Sequence, residues 1–187
     1  MKNTLQNVIA SRRSVFPSQY NKEAVTEEEI KTMLEAANWA PTHRRTEPWR
    51  FKVLRGDAKT ELGSFLAATY KEKTEKFSEM KYKKISEKMT QSAAVIAICL
   101  QRDEKASVPE WEEVAAVAMA VQNMWLVAHE MKIGGYWSSP SFISEMHHFF
   151  NFNEGERCLG FFYLGKYDET VAPGTRNSSS EDKTTWL

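Results

Sequence analysis

The chain is nearly devoid of cysteine, with only Cys99 and Cys158. Two cysteines make no disulfide framework, and neither lies in a CxxC or Cys/His spacing that could hold zinc. Both sit in apolar runs and read as small buried hydrophobes of a reduced, cytoplasmic protein. With 8 glycines and 6 prolines, the chain is neither collagen-like nor disordered. Net charge is absent as well, since 25 Lys and Arg balance 25 Asp and Glu. That balance argues against nucleic acid or an anionic membrane surface as the main partner. The longest uncharged run, Val114–Ala128, contains Gln122 and Asn123. It falls short of the roughly 20 apolar residues that a membrane span requires. Lys2 is not followed by an apolar core with a small-residue cleavage site, so no secretory signal is expected.

Several catalytic signatures are missing. There is no GxGxxG or GxxxxGK[ST], which disfavours a Rossmann dinucleotide site and a P-loop. There is no HExxH or GxSxG, which disfavours a zincin and an α/β-hydrolase. His147 and His148 are adjacent and cannot share a helix face as metal ligands. His129 ends an apolar helix, where the dipole alone favours it.

What is present reads as one domain over residues 1–187, with hydrophobic residues at 42% and charged residues at 27%. Leu5, Val8 and Ile9 mark a short helix ending near Ser11. Thr26 with Glu29 is a capping-box signature, and Ile30, Met33, Leu34 and Ala37 predict a helix over 26–39 that Pro41 stops. Residues 49–54 alternate as a strand, and Asp57 opens a helix carrying Leu62, Phe65 and Leu66. Segment 71–88 holds seven lysines against four glutamates. It reads as a solvated, mobile helical excursion, either a wet face or a lid.

Residues 93–100 are continuously apolar and predict a strand buried on both faces. A long helix follows over 110–131, apolar nearly all round, which must be covered on every side. In so short a chain a second copy is the simplest cover, and this predicts a homodimer. The alternative is a central core helix of a monomer. Gly134-Gly135 reads as the stop of that helix, 136–140 as a short strand into a loop, 143–150 as a short helix and 158–164 as a buried strand. Helices alternating with a few strands give an α+β class, a small central sheet wrapped by helices.

One constellation stands out. Arg12-Arg13-Ser14 places two guanidinium forks and a hydroxyl at a helix end, a suitable cradle for a phosphate. Far along the chain, Trp137-Ser138-Ser139 pairs an aromatic plane with two hydroxyls, which suits the edge of a flat polar heterocycle. Between them, Pro41, His43 and Trp49 bracket a loop.

With these motifs in order, the sequence resembles the short members of the FMN-dependent nitroreductase family. The resemblance rests on Arg12-Arg13-Ser14, residues 36–41 (AANWAP), Pro48-Trp49-Arg50-Phe51, the apolar helix after Trp111, residues 134–139 (GGYWSS) and residues 160–165 (GFFYLG). It implies an interlocked homodimer with FMN at the subunit interface. Arg12, Arg13 and Ser14 would hold the phosphate and ribityl chain, and Arg176 would reach the phosphate from the C-terminal tail. Trp137, Ser138 and Ser139 would lie against the flavin, while Trp39, Pro41 and His43 would come from the other copy. The resemblance implies a ping-pong reaction in which NAD(P)H gives hydride to FMN and a nitroaromatic, quinone or similar small acceptor then takes it. No catalytic side chain and no metal are required. The nicotinamide nucleotide would dock near 127–132. Trp39 and Trp49 also fit as plain core residues, and His43 as a satisfied turn residue.

Two positions depart from the family pattern. Phe16 stands where a basic residue often faces the flavin, and Thr46-Glu47 replaces a more neutral pair. A missing cation and an added carboxylate would both disfavour negative charge on reduced flavin. They motivate an alternative, a flavin carrier or sensor without turnover. Arg44 or Arg45 could replace the missing cation. A nucleic-acid-binding module using the arginine pairs and the lysine-rich segment is a third reading, which the zero net charge opposes.

Overall fold

The computed structural model describes residues 4–168 and 171–187. Among the described residues, five α-helices and four strands follow in the order α1 (Leu5–Ser11), α2 (Glu27–Asn38), β1 (Trp49–Leu54), α3 (Asp57–Lys73), α4 (Glu79–Gln91), β2 (Ala94–Gln101), α5 (Glu110–Glu130), β3 (Ile133–Ser138) and β4 (Glu156–Lys166). The strands form one antiparallel sheet in the order β1-β2-β4-β3. The expected α+β class, a small sheet wrapped by helices, is what the chain adopts.

Strand periodicity of two assigns the sheet's faces. Ile96, Ile98, Leu100, Phe162 and Leu164 point to a layer made by α2 and α5. Val95, Ala97, Cys99, Phe161 and Tyr163 point to a layer made by α3 and α4. This is why residues 94–100 read as an unbroken apolar run: all are fully buried. Between Ile98↔Gly160 and Cys99↔Cys158 the register skips Leu159, a β-bulge. The extra residue resets the alternation, so Cys158 shares a face with Cys99. Their contact and burial push the Cys99 thiol up from its usual value.

The capping box forms as expected. The Glu29 N–H donates to Thr26 Oγ1 (3.2 Å) and the Thr26 N–H donates to Glu29 Oε2 (2.7 Å). Helix α5 buries Ala116, Val117, Ala120, Val121, Met124 and Ala128 against the sheet and α2. Its opposite side, with Ala118, Met119 and Gln122, is exposed in the single chain.

One local expectation needs correction, and two gain detail. Gly134-Gly135 does not end α5; both lie in β3, and Lys132 takes the left-handed position after the helix at φ +58°. Gly135 is needed for a long-range reason, since a Cβ there would come within 2.4 Å of Phe162 and 3.0 Å of Trp125 Nε1. Segment 71–88 is largely helical and exposed, as expected: its first residues finish α3 and residues 79–88 belong to α4, whose buried Met89 packs on Gly63 of α3. Residues 143–150 form a 3-10 turn over Ile143–His148 rather than a regular helix.

Candidate functional site

After α1 the chain runs extended, and the Val15 N–H donates to the Gly135 carbonyl (3.1 Å). Buried Val15 fixes this segment beside the sheet-edge strand β3. The Arg12 guanidinium lies 4.2 Å from the ring centre of Trp125 on α5, and its Nη1 is buried with no hydrogen-bond partner. Arg13 Nη1 donates to the carbonyls of Ala10 and Arg12, both at 2.7 Å. Arg13 Nε is also buried and unpartnered, and the guanidinium rests on Gly174, where a Cβ would come within 2.6 Å. Arg176 stands close enough for its charge to act on Arg12.

Burial first, then Arg13 and Arg176, lower the Arg12 pKa from its ordinary value. Burial first, then Arg12 and Arg13, lower that of His129, whose Nε2 lies 2.8 Å from Ser11 Oγ. Among the described residues, no carboxylate is among the charges acting on either group. Two guanidinium groups thus hold buried, unused donors, with a third guanidinium and an imidazole near enough to exchange charge effects with them, an arrangement suited to a multiply charged anion.

Two residues along β3 from Gly135 stands Trp137, a separation of about 7 Å at strand rise. Its half-buried indole Nε1 has no hydrogen-bond partner. Gly160 makes room for it, because a Cβ there would sit 2.4 Å from that nitrogen and 2.8 Å from the Ser138 carbonyl. Ser139 Oγ donates to the Leu159 carbonyl (2.9 Å). On the other face of β3, Phe16 packs on Tyr136 with ring centres 4.6 Å apart, and Lys88 Nζ lies 5.5 Å from the Tyr136 ring.

The third expected group lies elsewhere in the single chain. Trp39 caps the end of α2, is 78% exposed and donates from Nε1 to Glu35 (2.9 Å). Pro41 is exposed, and His43 Nδ1 meets Glu112 of α5 at 2.5 Å. Trp49, by contrast, is a core residue bonded through Nε1 to Asn38 (3.2 Å). Among the described residues, no hydrogen bond joins Trp39, Pro41 or His43 to Arg12, Arg13 or Ser14. The fold brings Arg12, Arg13, Ser14, Arg176 and Trp137–Ser139 to one strand edge and leaves Trp39, Pro41 and His43 on the surface. Arg44 and Arg45 are exposed in that surface loop, with φ of +51° and +56°.

Residues 9–166 match the model of the nitroreductase family. The chain belongs to that family. It is 31% identical over 168 residues to the Bacillus subtilis protein named "Putative NAD(P)H nitroreductase YfhC", covering 88% of this chain and 85% of that protein. A structure from Desulfovibrio desulfuricans, described as a "putative nitroreductase in complex with fmn", is 26% identical with a TM-score of 0.72. That alignment covers 97% of this chain and 95% of the other. A "Nitroreductase-like Family Protein" from Bacillus cereus, 24% identical, shares the fold at a TM-score of 0.84 over 100% of this chain and 97% of its own.

For this nitroreductase-family chain, sequence reasoning missed three contributors. Trp125 and His129 stand four apart on α5 and so share the face that meets Arg12. That spacing was visible, but the apolar surroundings masked it. Lys88 was hidden among seven lysines, and only the packing of α4 singles it out.

Proposed function

We propose that the chain is an FMN-dependent oxidoreductase that takes hydride from NAD(P)H and passes it to a nitroaromatic, quinone or similar small acceptor. The observation that carries this reading is the pair of buried, unused donors on Arg12 and Arg13, with Arg176 near enough for its charge to act on Arg12 and, among the described residues, no carboxylate acting on it. Buried unsatisfied donors cost about 1–3 kcal/mol each, so a site of this kind favours an anion that accepts from them. The donor set fits FMN: a phosphate for the guanidinium groups and Ser14, and a flat heteroaromatic ring for Trp137, Ser138 and Ser139 beside it.

Bound FMN supplies the hydride chemistry, and the protein supplies anchoring, orientation and charge. The arginines hold the anionic tail, so no catalytic nucleophile is needed. Lys88 reaches the Tyr136 ring on which Phe16 packs and lines a cavity with Ser138 and Ser139, so a cation other than residue 16 stands beside the residues taken to border the flavin. A cation there favours negative charge developing on the ring edge. This weighs against the carrier or sensor reading, which rested on Phe16 and Glu47.

The working unit in this reading is a homodimer. Met119, Gln122 and Leu126 form one stripe of α5 by spacing, and Leu126 borders a groove with Leu5 and Trp39. Met119, Leu5 and Trp39 are apolar and exposed at 39%, 68% and 78%. A second copy covering this side would bring its Trp39, Pro41 and His43 to the cofactor.

The test is the absorption spectrum of the purified protein under anaerobic conditions. A flavin band that NADH or NADPH bleaches and a nitroaromatic or quinone restores is the expected result. Bound flavin that neither nucleotide bleaches would favour the carrier reading. Colourless protein that takes up no FMN would refute both.

A further inference from the structure

The α4 layer presents a feature that holding a cofactor phosphate does not require. Lys81, Lys84 and Lys88 recur at i, i+3 and i+7 and so share one helix face. With Tyr70, Phe142 and Ser138 they line a cavity of about 280 Å³ at the end of β3. That is the small end of ligand pockets, which run roughly 300–1,000 Å³, and suits a single substituted ring. Among the described residues, no carboxylate lines it. Lys83 on the same helix faces Glu79, and Lys73 pairs with Glu145 at 3.0 Å. Among the described residues, Lys81, Lys84 and Lys88 form no ion pair; Lys81 Nζ instead stands 4.8 Å from the Tyr70 ring centre. The cavity therefore has aromatic walls and a rim of positive charge alone.

We propose that this cavity is the acceptor site and that it selects anionic aromatics, rings carrying a carboxylate or phenolate. Lys81 and Lys84 meet the negative group, and Tyr70 and Phe142 seat the ring beside Ser138. The inference rests on the reading above only in taking Ser138 and Ser139 to border the flavin. Lys88, half-buried and nearer Tyr136, belongs to the cofactor side, so Lys81 and Lys84 are the specificity-determining pair.

The experiment compares 4-nitrobenzoate with uncharged 4-nitrobenzamide on the protein as purified with its flavin oxidised. Binding is read by calorimetry, and kcat/KM is read separately with NAD(P)H. The native protein should prefer the carboxylate, and the preference should shrink with added salt. K81Q/K84Q should lose about tenfold in affinity for the carboxylate and little for the amide. Both lysines are exposed, so the double variant should fold normally. Lys83→Gln is the control and should keep the native preference. Equal binding of the two compounds by the native protein, or an unchanged preference in K81Q/K84Q, would overturn the proposal. So would a raised KM for NAD(P)H with acceptor preference intact, which would assign the lysines to the nucleotide. A yellow, NAD(P)H-reducible protein indifferent to acceptor charge would refute this inference alone. A protein that takes up no FMN would refute the parent reading, while calorimetry would still report on the cavity.

Discussion

Arg12→Ala is expected to weaken FMN binding while leaving the cofactor-free protein about as stable as before. Three local effects set the balance. Loss of one charge-assisted contact to phosphate costs roughly 1.5–3 kcal/mol, which is about 10- to 150-fold in Kd. Without FMN, the variant loses the stack on Trp125, worth about 0.5–2 kcal/mol. It also sheds a buried donor with no partner, a relief of about 1–3 kcal/mol, and a charge repelled by Arg13 and Arg176. These last contributions oppose and nearly cancel. The assay is quenching of FMN fluorescence on titration into cofactor-free protein, with thermal melts in the presence and absence of FMN. At a fixed excess of FMN, each tenfold loss of affinity removes about 1.4 kcal/mol of ligand stabilisation, or roughly 3–6 °C for a chain of this size. Arg12→Lys should recover only part of the loss, because an ammonium lacks the planar fork and its stack. Unchanged FMN affinity, or a cofactor-free protein that melts far lower at native affinity, would show that Arg12 is structural.

Other outcomes follow from the same geometry. The His129 pKa is lowered in the folded chain, so the unfolded chain protonates first as pH falls below about 6.5; stability should drop through that window and level off beneath the folded value. His129→Gln should flatten that slope in denaturant titrations across pH, and NMR should show the His129 pKa rising when FMN neutralises the arginines. Gly160→Ala drives a methyl against Trp137 Nε1 and the Ser138 carbonyl, and should cost about 1–3 kcal/mol and loosen FMN; native stability would show that Trp137 moves aside without loss. Met119→Glu places a charge on the exposed stripe of α5 and should shift light-scattering mass from dimer to monomer with loss of flavin; an unaltered mass would refute that face as the interface.

What the sequence disclosed was decided locally or by unbroken burial. The Thr26–Glu29 capping box needs only its own turn, and the apolar run of β2 needs only the two layers that every central strand meets. Gly135 misled because its requirement lies far away, in Phe162 and Trp125. The stop of α5 fell to Lys132, a residue with no αL preference to advertise it. Trp39 and Trp49 look alike in sequence, yet one is a surface cap and the other is core. The arginine cradle was legible as a pair. Its third member, Arg176, came only through the family resemblance, and its aromatic floor required the fold to bring residues 12 and 125 together.

The single backbone bond from Val15 to Gly135 has a wider consequence. An edge strand left bare is a template for unwanted pairing, and here the residues that aim the arginines also hem that edge. If the arginines anchor the cofactor as proposed, trimming the chain past residue 15 would do two kinds of damage at once, unseating the anion and uncovering a sticky border. Selection acting on solubility would guard the cofactor segment even in a descendant that had abandoned redox chemistry.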